Sequence, residues 1–195
     1  VSSHMIYREN AFDNYDYIFA VGPHHIKETK KRELLNNIKQ KEIIKVGYSR
    51  LDKIILNNKK VALNNKKKER FTIIIAPTWG KYDLLVNDGI TIIENLINSN
   101  FNVLVRPHPR TIKHYKKLIE KINIKFKTNS LYKFIDDTND IHSFYKADLM
   151  ISDWSGVALE FAFGTERPII YIDTPPKILN FNFQDYEIIP IEEQL

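Results

Sequence analysis

The 195-residue chain is 43% hydrophobic and 12% aromatic, enough for a real core in one large domain or two small ones. It has no cysteine, which excludes a disulfide framework and any thiolate metal site, and no apolar run approaches transmembrane length. The formal charge of +5 suits an anionic substrate, nucleic acid or an anionic membrane face and separates none of them.

Residues 1–7 read as a short polar start. Residues 15–21 (YDYIFAV) alternate and then run apolar, which predicts a strand ending at Gly22-Pro23. Residues 24–38 predict a helix and residues 42–46 a second strand, closed by Gly47. Residues 50–56 predict a short helix. Residues 57–70 (NNKKVALNNKKKER) are poor in apolar side chains and rich in lysine, which reads as a solvated linker.

Beyond residue 70 the pattern becomes regular. Strands are predicted at 71–76 (FTIIIA), 101–105 (FNVLV), 124–127, 147–151 and 168–172 (PIIYI), with helices over 82–98, 113–122 and 141–146 and another after residue 156. Alternating strands and helices imply an α/β fold: a Rossmann-type parallel sheet with helices on both faces. Such sheets bind ligands beyond the carboxyl ends of their strands.

Three polar stretches follow strands, so they should gather on one edge. Pro77-Thr78-Trp79-Gly80-Lys81 follows the first strand of this region, Arg106-Pro107-His108-Pro109-Arg110 the second, and Ser152-Asp153-Trp154-Ser155-Gly156 the fourth. In the third stretch a strand turns directly into a helix. Ser155 and Gly156 stand where backbone N–H groups lack helical partners and the helix dipole is positive, a corner suited to phosphate. Gly156 allows close approach to the backbone, and Glu160 lies one turn further along. The plainer reading is that Asp153 and Ser155 cap the helix. Arg106 offers a planar fork of donors for phosphate oxygens. His108, held between two prolines, is aimed as an acid, a base or a phosphate ligand. Trp79 and Trp154 suit stacking on a base or packing at a rim. His24, His25, His114 and His142 show no metal-ligand spacing.

Five stretches together resemble a known family: Gly-Pro-His-His at 22–25, Val-Gly-Tyr-Ser-Arg-Leu-Asp at 46–52, Ala-Pro-Thr-Trp at 76–79, Arg-Pro-His-Pro at 106–109 and Ser-Asp-Trp-Ser-Gly at 152–156. The resemblance is to the CDP-glycerol glycerophosphotransferases, which include teichoic-acid polymerases and primases and related capsule enzymes. It implies a GT-B architecture of two Rossmann-like domains. Residues 1–56 would be the incomplete end of the N-terminal, acceptor-side domain, 57–70 the linker, and 71–195 the nucleotide-donor-binding domain. The chain would then be a fragment, stopping before the terminal segment that crosses back in such proteins.

The resemblance also implies roles. His108, Asp153 and His4 would form the catalytic set, with His108 as acid or leaving-group stabiliser and the acceptor-side base either absent from this chain or His4. Arg106, Ser155, Gly156, Glu160, Thr78 and Trp79 would bind the donor and its phosphates. Gly47, Arg50 and Asp52 would shape the interdomain edge. The donor would be a CDP-linked polyol and the acceptor a wall or capsule polymer, lipid-linked, met at the cytoplasmic face of the membrane. No metal, cofactor or nucleic acid is implied. One departure concerns the donor: the familiar family motif reads Thr-Asp-Tyr-Ser-Ser, and Gly156 here removes a hydroxyl. Two other readings stand beside this one. They are a GT-B glycosyltransferase or nucleotide-sugar epimerase acting on a UDP-sugar, and a non-catalytic module binding nucleic acid or membrane through the lysine-rich segment.

Overall fold

The structure, a computed structural model, describes residues 2–63, 69–137 and 140–194. They form two compact units. One combines Val1–Arg50 with Pro176–Leu195, and the other is Leu51–Pro175.

In the first unit α1 (Ser3–Ile6) precedes β1 (Tyr17–Ala20), α2 (Pro23–Leu35) and β2 (Glu42–Lys45). The two strands pair in parallel, with Tyr17 opposite Glu42 and Ala20 opposite Lys45. The opening residues, polar in sequence, are in fact buried: Ser3, His4 and Met5 all face inward. A carboxylate explains this. Glu28 of α2 accepts from the Ser3 backbone N–H at 2.7 Å and from the Ser3 hydroxyl, and stands 3.4 Å from His4 Nδ1. Burial pushes the Glu28 carboxyl up, but the hydrogen bonds from His4 and Ser3 outweigh it and hold the group below its ordinary value. The final residues join the same cluster. Asn180 donates to the His4 carbonyl at 2.9 Å, and Arg32 Nε donates to the Tyr186 hydroxyl at 3.0 Å with its guanidinium 4.6 Å over the Phe12 ring. The segment after Pro175 therefore belongs with the N-terminal residues, not with the domain that the resemblance extends to residue 195.

The second unit begins within α3 (Ser49–Leu63). This helix runs well past residue 56, into the stretch whose composition suggests a linker. Ile54 is fully buried and Val61 packs against the same cluster, which is why the lysine-rich surface does not end the helix. Residues 64–68 of the expected linker lie outside the described residues.

The remaining elements are β3 (Thr72–Ile75), α4 (Leu84–Asn87), α5 (Gly89–Asn98), β4 (Asn102–Val105), α6 (Pro109–His114), α7 (Lys116–Phe126), β5 (Tyr132–Phe134), α8 (His142–Lys146), β6 (Leu149–Ser152), α9 (Gly156–Thr165) and β7 (Ile169–Tyr171). The five strands form one parallel sheet in the order β5-β4-β3-β6-β7. Strand alternation sends Ile74, Leu104 and Met150 to one face, under Ile54 of α3, Phe144 and Tyr145 of α8, and Ala158 and Phe161 of α9. Ile73, Ile75, Val103, Val105 and Ile151 line the other face, under Leu84, Leu85, Ile93, Ile119, Ile122 and Phe126. Both faces are covered, as a parallel sheet requires.

Residues 124–127 form no strand. Ile119, Ile122 and Phe126 recur at helical spacing and are buried, so α7 continues through Phe126 and the edge strand follows at Tyr132–Phe134. Two expected helices are each divided in two. The break in the first falls at Asp88, between α4 and α5. Among the described residues no helix is long and apolar enough to cross a membrane.

At Gly164 the helices α9 and α3 come so close that an added Cβ would stand 2.3 Å from Ile54 Cγ2. Gly164→Ala is therefore expected to destabilise the second unit by about 1–3 kcal/mol through overpacking. Both tryptophans lie in this unit, so their fluorescence during urea unfolding measures the change.

Candidate functional site

The strand order reverses at β3. From β3 the chain steps outward to β4 and β5, then returns to lay β6 and β7 on the opposite side. Such a reversal opens a crevice outside the carboxyl ends of the central strands. The three polar stretches leave the ends of β3, β4 and β6, the three central strands.

Asp153, directly after β6, ties two of them together. Its side chain is 1% exposed. One carboxylate oxygen accepts from the Thr78 N–H at 2.6 Å and the other from the Leu84 N–H at 3.3 Å. The neighbouring Ser152 hydroxyl donates to the Ala76 carbonyl at 2.7 Å. The corner after β6 is thus fastened to the loop after β3 by side chains as well as by the sheet. Asp153 does not cap α9 and does not face solvent. Burial raises its carboxyl, partly offset by the Thr78 and Leu84 N–H groups.

Ser155 is the N-cap residue of α9 in extended conformation, and its side chain makes no capping bond. Ser155 and Gly156 are half-buried at the start of a ten-residue helix, where N–H groups and the dipole favour an anion. Glu160 is half-buried on the next turn. Trp154 is anchored, its indole N–H donating to the Thr174 carbonyl at 2.8 Å.

Arg106 follows β4, its guanidinium 5.4 Å from the Phe144 ring. His108 caps α6: Nδ1 accepts from the Arg110 N–H at 3.1 Å. With Nδ1 an acceptor, the neutral ring carries its proton on Nε2. The His108 and Trp79 rings are 6.0 Å apart, and the Arg110 guanidinium lies 4.1 Å over the Trp79 ring. Thr78, Trp79, His108 and Asp153 are therefore brought together as their spacing after strands predicts.

His4 is not among them. It belongs to the other unit and is 0% exposed, with Nε2 3.0 Å from the Ile188 carbonyl and Nδ1 facing Glu28. These contacts are those of a core histidine, so the structure gives the suggested acceptor-side base a structural role. The division between the units falls at Arg50, so Gly47 and Arg50 lie in the first and Asp52 in the second. Gly47 has φ +69, a left-handed conformation that favours glycine.

Two residues escape sequence reasoning. Asp83 is fully buried and caps α4, accepting from the Leu85 N–H at 2.8 Å and, with its other oxygen, from the Thr111 hydroxyl. Burial pushes its carboxyl up to about 6 against the pull of Thr111 and Leu85, with the Asp153 charge adding to the rise. An aspartate opening an apolar helical pattern is a cap signal. Nothing local to Thr111 marks it.

The fold and the crevice define a Rossmann-type α/β protein of the GT-B class, and solved structures share that fold. The UDP-GlcNAc 2-epimerase of Methanocaldococcus jannaschii, in complex with UDP-GlcNAc and UDP, superposes with a TM-score of 0.52 at 22% identity, covering 82% of this chain and 46% of its own. The wall teichoic acid polymerase TagF, solved as a variant soaked with CDPG, gives 0.53 at 19% identity, covering 81% and 38%. Residues 4–174 match the CDP-Glycerol:Poly(glycerophosphate) glycerophosphotransferase model, and the chain belongs to that family. The teichoic acid poly(glycerol phosphate) polymerase of Bacillus spizizenii is 28% identical over 147 residues, which is 68% of this chain and 35% of the relative. The chain thus spans about a third of that relative's length.

The buried aspartates have a consequence for stability. A carboxyl raised from 3.8 to about 6 stabilises the folded state fully below pH 3.8 and loses that contribution as pH rises through 6. The gap corresponds to about 3 kcal/mol. Asp83→Asn is expected to gain stability relative to the unsubstituted chain between pH 4 and 7, read as urea midpoints by tryptophan fluorescence.

Proposed function

We propose that this chain carries the donor side of a transferase that moves glycerol phosphate, or a similar polyol phosphate, from a CDP-linked donor to a hydroxyl of a wall or capsule polymer. The reading is carried by the meeting of Thr78, Trp79, His108 and Asp153 at the carboxyl ends of three adjacent strands, in a chain of this family. The acceptor hydroxyl oxygen attacks the phosphorus next to the polyol, the bond from that phosphorus to the CMP oxygen breaks, and CMP leaves. The acceptor proton passes to a base outside the set described above.

Little covalent chemistry is asked of the protein. It positions the donor and stabilises charge that develops on the leaving phosphate. Arg106 supplies fixed positive charge to the pyrophosphate. His108, with its proton on Nε2, donates to the departing CMP oxygen. Ser155, Gly156 and the start of α9 hold phosphate oxygens. Trp79 walls the base side, with Arg110 stacked on it. Asp153 acts indirectly, by holding Thr78 and the corner in place. Glu160 meets donor hydroxyls. The acceptor is a lipid-linked polymer met at the inner membrane face.

A second reading, a UDP-sugar epimerase or glycosyltransferase, draws on the fold shared with the archaeal epimerase. Calorimetric titration with CDP-glycerol, CMP and UDP-GlcNAc separates the two. We expect cytidine-selective binding, weakened about tenfold or more by His108→Ala through loss of a hydrogen bond to a charged group. Preference for the uridine sugar would favour the second reading.

A further inference from the structure

We propose that Asp83 is a positioning residue for the donor site: through the Thr111 hydroxyl it sets the start of α6 and so the place of the His108 ring opposite Trp79. The inference rests on the donor-site reading above and deepens it.

The geometry is specific. Asp83 ends the loop that carries Thr78 and Trp79. One of its oxygens caps α4 through the Leu85 N–H, and that alone would serve the helix. The other oxygen is directed out of its own segment to Thr111, three residues after His108 and in the first turn of the helix that His108 caps. Asp153 binds the same loop from the other side, through Thr78 and Leu84. Two buried carboxylates therefore fasten all three polar stretches to one another, with the loop after β3 in the middle.

The arrangement is costly for folding alone. Burying a carboxylate is unfavourable unless its hydrogen bonds compensate, and a second carboxylate near it adds repulsion. A neutral cap would hold α4 without that cost. Perturbed carboxyls cluster at functional sites, and this one lies a single hydrogen bond from the helix that His108 caps. What the charge supplies here is an ionised acceptor for the Thr111 hydroxyl. The effect of such a tie is to hold a phosphate-facing group in register, where a displacement of about 1 Å can cost about a hundredfold in rate.

The test compares Asp83→Asn, Thr111→Val and Thr111→Ser in the whole chain. The first readout is the nuclear Overhauser cross-peak between the Trp79 indole and His108 imidazole protons, assigned with His108→Ala. Thr111→Val and Asp83→Asn should weaken it by about half or more, whereas Thr111→Ser, which keeps the hydroxyl, should leave it unchanged. The second readout is CDP-glycerol affinity, expected to fall about tenfold in Thr111→Val and to recover in Thr111→Ser. In the His108→Ala background Thr111→Val should add little, because both changes act through one ring. An unchanged cross-peak in Thr111→Val overturns the inference whatever the ligand. A changed cross-peak in a chain that ignores CDP-glycerol supports the tie and removes the donor reading instead. If Asp83→Asn fails to fold, the Thr111 pair decides alone.

Discussion

A buried carboxylate at the end of β6 is the constraint on which the site depends. Parallel strands bring chain segments to one edge but leave the loops beyond them free to wander. Asp153 removes that freedom by taking two backbone N–H groups from the loop after β3, one near its start and one at the beginning of α4. A buried carboxylate that loses such donors is left uncompensated in a medium of low polarity, so the segments after β6 and β3 are stable only together. Asp83 extends the same logic to the segment after β4.

The sheet makes this arrangement possible. With both faces covered by helices, the central strands are apolar along their length, and polar chemistry is confined to their ends. The reversal of strand order at β3 places loops of opposite crossover direction side by side. A helix starting after β6 puts its positive end on the same edge of the sheet as the segment that carries Arg106 and His108. The first unit is organised by a different polar cluster. There Glu28 and His4 hold α1 and the returning residues after Pro175 against α2, with Arg32 set among Phe12 and Tyr186.

How much of this was legible depended on whether the signal was local. The apolar β-branched runs at 72–75 and 102–105 announced buried strands, and the polar stretches following them announced the edge. Local pattern misled at residues 124–127, where a helix ending in Ile-Lys-Phe resembles an alternating strand, and at residues 57–63, where lysines on the exposed side of α3 masked its packed side. No local pattern marks Asp153 or His4 as buried. Asp153 is held by Thr78, 75 positions away, and His4 by Glu28 and by the Ile188 carbonyl, 184 positions away.

The sequence by itself determined the alternation of strands and helices, the parallel sheet, and the residue types available at the strand ends, because hydrophobic period and chain connectivity are local properties of the chain. Only the tertiary structure decided which carboxylates turn inward. It also decided that Asp83 and Thr111 belong to the same constellation as His108, and that residues 176–195 return to the first unit. Those outcomes depend on hydrogen bonds between segments distant along the chain, and no pattern within either segment encodes its partner.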